Sequence, residues 1–63
     1  MTDEHYKRKV QPIELIEAFD LNFNRGNIIK YVSRAGNKTG CTEVDDLNKA
    51  LNYLQRELER LES

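Results

Sequence analysis

An all-α fold follows from three features of this sequence. Apolar residues return every three or four positions, helix-capping residues stand ahead of the periodic stretches, and no apolar–polar alternation runs long enough for a strand. The expected order is a short helix, a second helix and a long C-terminal amphipathic helix. These belong to a single small helical domain covering residues 1–63, assembled into a helical oligomer.

Residues 1–11 read as an N-terminal arm centred on His5-Tyr6-Lys7-Arg8-Lys9. Pro12 suits the first turn of a helix, where its missing N–H costs nothing. A helix over 12–19 would turn Ile13, Ile16 and Phe19 toward a core, with Leu15 and Ala18 widening the stripe. Asp20-Leu21-Asn22 breaks it, and Asn22 can cap a second helix over 23–35. That helix ends at Gly36, a residue able to take the left-handed position after a helix terminus. Its apolar stripe is Ile28, Val32 and Ala35, broadened by Ile29. Gly26 is unusual there, because glycine inside a helix costs about 1 kcal/mol relative to alanine. Either the helix begins after it, or a neighbouring backbone or ligand comes close.

Gly36-Asn37-Lys38-Thr39-Gly40 is a loop by composition. Thr42 opens the third helix, over 42–61, with Asp45 as the acid of a weak capping box. Val44, Leu47, Leu51, Leu54, Leu58 and Leu61 then recur at spacings of 3, 4, 3, 4 and 3, with Ala50 beside them. This is an uninterrupted a/d seam. At 1.5 Å per residue the helix reaches roughly 30 Å, further than the first two can cover. Leu54, Leu58 and Leu61 are therefore expected to need a partner, and another copy of the chain is the expected one.

Size points the same way. A domain near 60 residues buries only about 60% of its unfolded surface, and such chains lean on disulfides, metals or oligomerisation. Cys41 is the only cysteine and His5 the only histidine. An internal disulfide is excluded, and so is a four-ligand Cys/His zinc site. No cofactor is indicated. No apolar run approaches the roughly 18 residues of a membrane span, and the polar start Met1-Thr2-Asp3-Glu4 carries no secretory pattern. The expected location is the cytoplasm, with no membrane partner.

Net charge is −1, but it is unevenly spread. Residues 21–40 hold Arg25, Lys30, Arg34 and Lys38 without a single acid, between two segments that are each net negative. A local basic island of this kind suits a small anionic ligand better than a long nucleic acid, which favours an extended basic stripe.

Three clusters could carry chemistry. On the second helix, Asn27, Tyr31 and Arg34 fall at i, i+4, i+7, opposite the apolar stripe, with Lys30 beside them and Lys38 beyond the helix end. Lysine and arginine neutralise phosphate oxygens, tyrosine stacks on a base, and asparagine reads a base or ribose edge. The same residues also fit a plain solvated face. In the arm, His5, Tyr6 and Lys7 place an imidazole, a phenol and an ammonium in succession. On the third helix, Lys49, Tyr53, Arg56 and Arg60 recur at 4, 3, 4, either as ligand-facing groups or as flanking residues whose stems cover the leucine seam.

The acidic pairs Glu14/Glu17 and Glu43/Asp46 have the i, i+3 spacing of metal-binding helices. The stretch Asp45-Asp46-Leu47-Asn48-Lys49-Ala50-Leu51-Asn52-Tyr53-Leu54 is similar to the second metal-binding helix of the all-α nucleoside-triphosphate pyrophosphatases. It departs at Lys49, which stands where that superfamily has an aspartate, and an ammonium there disfavours a cation and favours a phosphate. Acids near helix N-termini are also common for dipole reasons alone. No metal site and no catalytic residue is therefore assigned. The absence of a Gly-x-x-x-x-Gly-Lys-Ser/Thr loop excludes a conventional P-loop kinase.

Three segments taken together carry a wider resemblance: His5-Tyr6-Lys7 with Gln11-Pro12-Ile13-Glu14, the run from Gly26 to Gly36, and Asp46-Leu47-x-Lys49-Ala50-x-x-Tyr53-Leu54. In this order they resemble a family of small bacteriophage proteins labelled nucleotide kinase or left as a domain of unknown function. The resemblance implies nucleotide binding at Asn27, Lys30, Tyr31, Arg34 and Lys49, with His5 and Tyr6 as further candidates. It also implies a setting, the cytoplasm of an infected bacterium, where phages encode oligomeric proteins that sequester the nucleotide signals of host immunity.

The expected function is thus an oligomeric sponge for a nucleotide or cyclic nucleotide, held in basic pockets at subunit interfaces. The candidate ligand-binding set is His5, Tyr6, Lys7, Asn27, Lys30, Tyr31, Arg34, Lys38, Lys49 and Tyr53. Two alternatives stay open. One is a nucleoside monophosphate kinase-like enzyme, with His5 or Asp46 helping at the acceptor. The other is a helical protein–protein inhibitor of a host enzyme.

Overall fold

A computed structural model describes residues 10–63, which form three α-helices and no strand. They are α1 (Pro12–Ala18), α2 (Phe23–Arg34) and α3 (Glu43–Glu62). The expected boundaries differ from these by one residue or none at each end. The arm residues His5, Tyr6 and Lys7 lie outside the described residues.

Local chemistry sets the ends. Pro12 opens α1, where Glu14 Oε1 accepts from the Gln11 backbone N–H at 3.4 Å. Asn22 caps α2 by accepting the Arg25 N–H at 2.9 Å, and Thr42 caps α3 by accepting the Asp45 N–H at 3.0 Å. Gly36 takes φ +84° just past α2, a conformation that a β-carbon would strain. Asp20 turns the chain between α1 and α2 at φ +55°. Gly26 lies inside α2 and is buried. Its close neighbour is Ile16 of α1, whose side chain stands 3.5 Å from where a β-carbon would be.

α2 is the middle element. It packs against α1 on one side and α3 on the other, and α1 and α3 share no contact. The Cα atoms span 48 × 27 × 11 Å, so the thin dimension holds a single layer of helices. A single layer has two wet faces and little interior. Among the described residues only Ala50 is a fully buried apolar side chain, and the other buried side chains are Asp46 and Glu57.

The leucine seam corrects the expectation drawn from its spacing. Not only Leu54, Leu58 and Leu61 but all six of its residues are uncovered, at 43–65% exposure. Val32 of the α2 stripe is also half exposed, while Ile28 and Ala35 are partly buried. The reason is charge. α3 presents its acidic edge, Asp46 and Glu57, to the arginines and asparagines of α2, and the leucines are turned away. No helix among the described residues is long and apolar enough to cross a membrane.

Candidate functional site: an aromatic and basic cleft between α2 and α3

The α2–α3 contact is polar and aromatic along its length. At one end, Glu57 accepts hydrogen bonds from Asn22 Nδ2 at 2.9 Å and Asn24 Nδ2 at 3.1 Å, and pairs with Arg25 at 3.0 Å. Arg60 Nη2, one turn along α3, donates to it at 2.9 Å. The Arg60, Asn22 and Asn24 hydrogen bonds, in that order, hold the Glu57 carboxyl well below its usual 4.5.

At the other end, Arg34 Nε and Nη2 both donate to Asp46 Oδ1 at 3.2 Å. Asp46 is 0% exposed, and its Oδ2 is buried with no hydrogen-bond partner among the described residues. Half of the basic island is therefore already occupied: Arg25 and Arg34 answer carboxylates of α3. Asp46, one of the two acceptor-side candidates of the kinase-like reading, is sealed beneath Arg34, and the other, His5, lies outside the described residues.

Aromatic rings lie between these two ends. Tyr31 of α2 and Tyr53 of α3 are stacked, with centroids 5.9 Å apart and planes at 15°. Phe23 meets Tyr53 edge-on at 5.8 Å. Lys30 Nζ lies 4.4 Å from the Tyr31 centroid, Arg34 Cζ 4.8 Å and Lys49 Nζ 5.4 Å, each within cation–π range. Phe23, Tyr31, Lys49, Asn52, Tyr53 and Arg56 line an open cleft of about 460 Å³.

Among the described residues Lys30, Lys49 and Arg56 form no ion pair, unlike Arg25, Arg34 and Arg60. Ammonium groups drawn to one ring repel each other, and an anion between them relieves that repulsion.

The stripe on α3 settles into two roles. Lys49, Tyr53 and Arg56 face the cleft. Arg60 turns to Glu57. None of them covers the leucine seam, because residues two apart differ by about 200° around a helix and Lys49 and Arg56 stand half a turn from Leu51 and Leu54. The cleft is built from two helices of one chain, on the side of the layer away from the seam.

Other expected residues fall elsewhere. Asn27 donates from Nδ2 to the Phe23 carbonyl at 2.9 Å and, with Lys30, borders a shallower hollow toward α1. Lys38 is exposed in the α2–α3 loop. Phe23 and Asn52 are new to the site, and Arg56, expected only as a member of the α3 stripe, joins them. Spacing holds the signal for two of them: Phe23 precedes Tyr31 by eight residues and Arg56 follows Lys49 by seven, each on its partner's side of the helix. The acidic pairs Glu14/Glu17 and Glu43/Asp46 do not converge, since α1 and α3 do not touch. No group of three or more His, Cys, Asp or Glu among the described residues could hold a metal ion.

Comparison with known proteins places this site in a family. The model of a family described as proteins of unknown function, DUF3310, matches residues 1–55. The chain belongs to DUF3310. The matched region takes in α1, α2 and most of α3, so Phe23, Tyr31, Lys49, Asn52 and Tyr53 all lie within the DUF3310 part, with Arg56 one residue past its edge. No curated protein and no solved structure matches the chain.

Proposed function

We propose that this DUF3310 protein binds a nucleotide or cyclic nucleotide in the α2–α3 cleft. The observation that carries the reading is the convergence of Lys30 and Lys49 on the stacked Tyr31–Tyr53 pair, without an ion pair for either among the described residues. Lys49, Lys30 and Arg56 take the phosphate. The base stacks against Tyr53 or Phe23, since a π-face accepts any base and such stacking contributes about 1–3 kcal/mol. Asn52 lies within the cleft to meet a base or ribose edge.

Among the described residues none of the side chains lining the cleft is a carboxylate or imidazole, which favours binding over proton transfer. The biological reading that goes with this is a phage-encoded protein acting in the cytoplasm of the infected bacterium, where it sequesters a nucleotide signal of host immunity. Sequestration needs affinity and copy number rather than a catalytic base.

Titration calorimetry against mononucleotides, nucleoside triphosphates and cyclic dinucleotides tests the proposal. One class binds, the recovered ligand is chemically unchanged, and Lys49→Ala weakens binding at least tenfold. Absence of binding across the whole panel would refute it.

A further inference from the structure

The face opposite the cleft has no place in ligand binding. It carries Val44, Leu47, Leu51, Leu54, Leu58 and Leu61, each about half exposed, on a layer one helix thick. Val32 belongs to the same face, since it stands about half a turn of α2 from Phe23 and Lys30, which are on the cleft side. A continuous apolar surface of this kind marks an interface. We infer that its occupant is a second copy of this chain, with the two α3 helices antiparallel and their two-fold axis passing between Leu51 and Leu54.

Register fits a two-fold pair, and two further observations select its orientation. The six seam residues are symmetric about the midpoint of Leu51 and Leu54, so reversing the helix sets Leu51 on Leu54, Leu47 on Leu58 and Val44 on Leu61 of the other copy. A self-complementary patch is what a two-fold interface requires.

The first of these is coverage. An antiparallel pair places the two-fold axis across α3 and between the layers, which stacks α2 on α2 as well. Val32, 51% exposed, is then covered together with the leucines. A parallel pair rotates the second α2 to the far side of α3 and leaves Val32 wet.

The second is charge. Along the flank of the seam away from α2 the central residues are Asn48 and Gln55, which meet each other in the antiparallel pair with no charge between them. Parallel helices would instead set the acidic first turn, with Glu43 and Asp45, beside its own copy. They would also lay the two helix dipoles side by side in the same sense, with like-charged ends adjacent, whereas antiparallel helices set opposite ends together.

The product is two layers of helices with a leucine interior, the usual way for so small a chain to gain a core. Both ligand clefts open outward, on opposite faces.

A charge-swap pair distinguishes the two orientations. Wild-type protein sediments as two copies or an even multiple. Leu51→Glu and Leu54→Lys, each alone, halve the mass or unfold the chain. Mixing the two restores a one-to-one heterodimer, because residue 51 of one copy then meets residue 54 of the other while the native Leu54–Leu51 contact reforms. In a parallel pair residue 51 would meet residue 51, so the mixture that restores association best would be Leu51→Glu with Leu51→Lys, not Leu51→Glu with Leu54→Lys. Failure of the mixture to associate overturns the inference, and so does a monomeric or trimeric wild type.

Discussion

Tyr31 and Tyr53, from different helices, stack at 5.9 Å with Lys30 and Lys49 both drawn to the Tyr31 ring. The pair therefore joins α2 to α3 and forms the floor of the cleft. Groups around it divide into those that hold the fold and those that are free to meet a ligand, and variants should separate them.

Lys49 belongs to the second kind. Its ammonium has no ion pair among the described residues, so Lys49→Ala should leave helicity and melting temperature near wild type. A charge-assisted hydrogen bond contributes about 1.5–3 kcal/mol. Nucleotide affinity should fall roughly ten- to hundred-fold, and weaken further with added salt in wild type than in the variant. Calorimetry at two salt concentrations checks both statements.

Arg34 behaves differently. Removing it leaves the fully buried Asp46 carboxylate without its partner, a change that costs about 3–5 kcal/mol. That is comparable with the whole stability of a domain this small. Arg34→Ala should lose helical signal by circular dichroism at 25 °C. The double variant Arg34→Met with Asp46→Leu, which removes both charges, should recover it.

Glu57 sets an acid limit. Hydrogen bonds from Arg60, Asn22 and Asn24 keep its folded-state carboxyl well below the ordinary value of 4.5. A lowered folded pKa stabilises the native state fully above that ordinary value and loses its contribution as pH falls beneath it. Urea melts should show stability declining below about pH 4.5. Glu57→Gln should be less stable at pH 7 and flatter across the acid range.

Gly26 is open to replacement. The nearest atoms to an added β-carbon are those of Ile16 at 3.5 Å, an ordinary contact, and alanine is the better helix former by about 1 kcal/mol. Gly26→Ala should raise the melting temperature, as differential scanning calorimetry would record. A lower one would mean that α1 sits tighter on α2 than these distances allow.

The helices were legible in the sequence because their signals are local. Asn22, Thr42 and Gly36 each act on groups within a few residues, and the structure uses all three as read. The orientation of α3 was not legible. Periodicity reveals an apolar seam but not what it faces, and the choice is made by distant partners: Glu57 with Asn22, Asn24 and Arg25, and Asp46 with Arg34. Those same pairs removed Arg25 and Arg34 from the basic island, which composition alone presents as four equal cations. Tyr31 on one helix and Lys49 and Tyr53 on another are all legible as ligand groups, and the structure brings the three together.

The most direct test of the central claim is a ¹H–¹⁵N correlation titration of the full chain with the nucleotide that calorimetry selects. Binding in the cleft predicts the largest shifts at the amides of Phe23, Lys30, Tyr31, Lys49, Asn52, Tyr53 and Arg56, with Leu47, Leu54 and Leu61 little changed. Shifts concentrated on the leucine face, or none at saturating ligand, would contradict it.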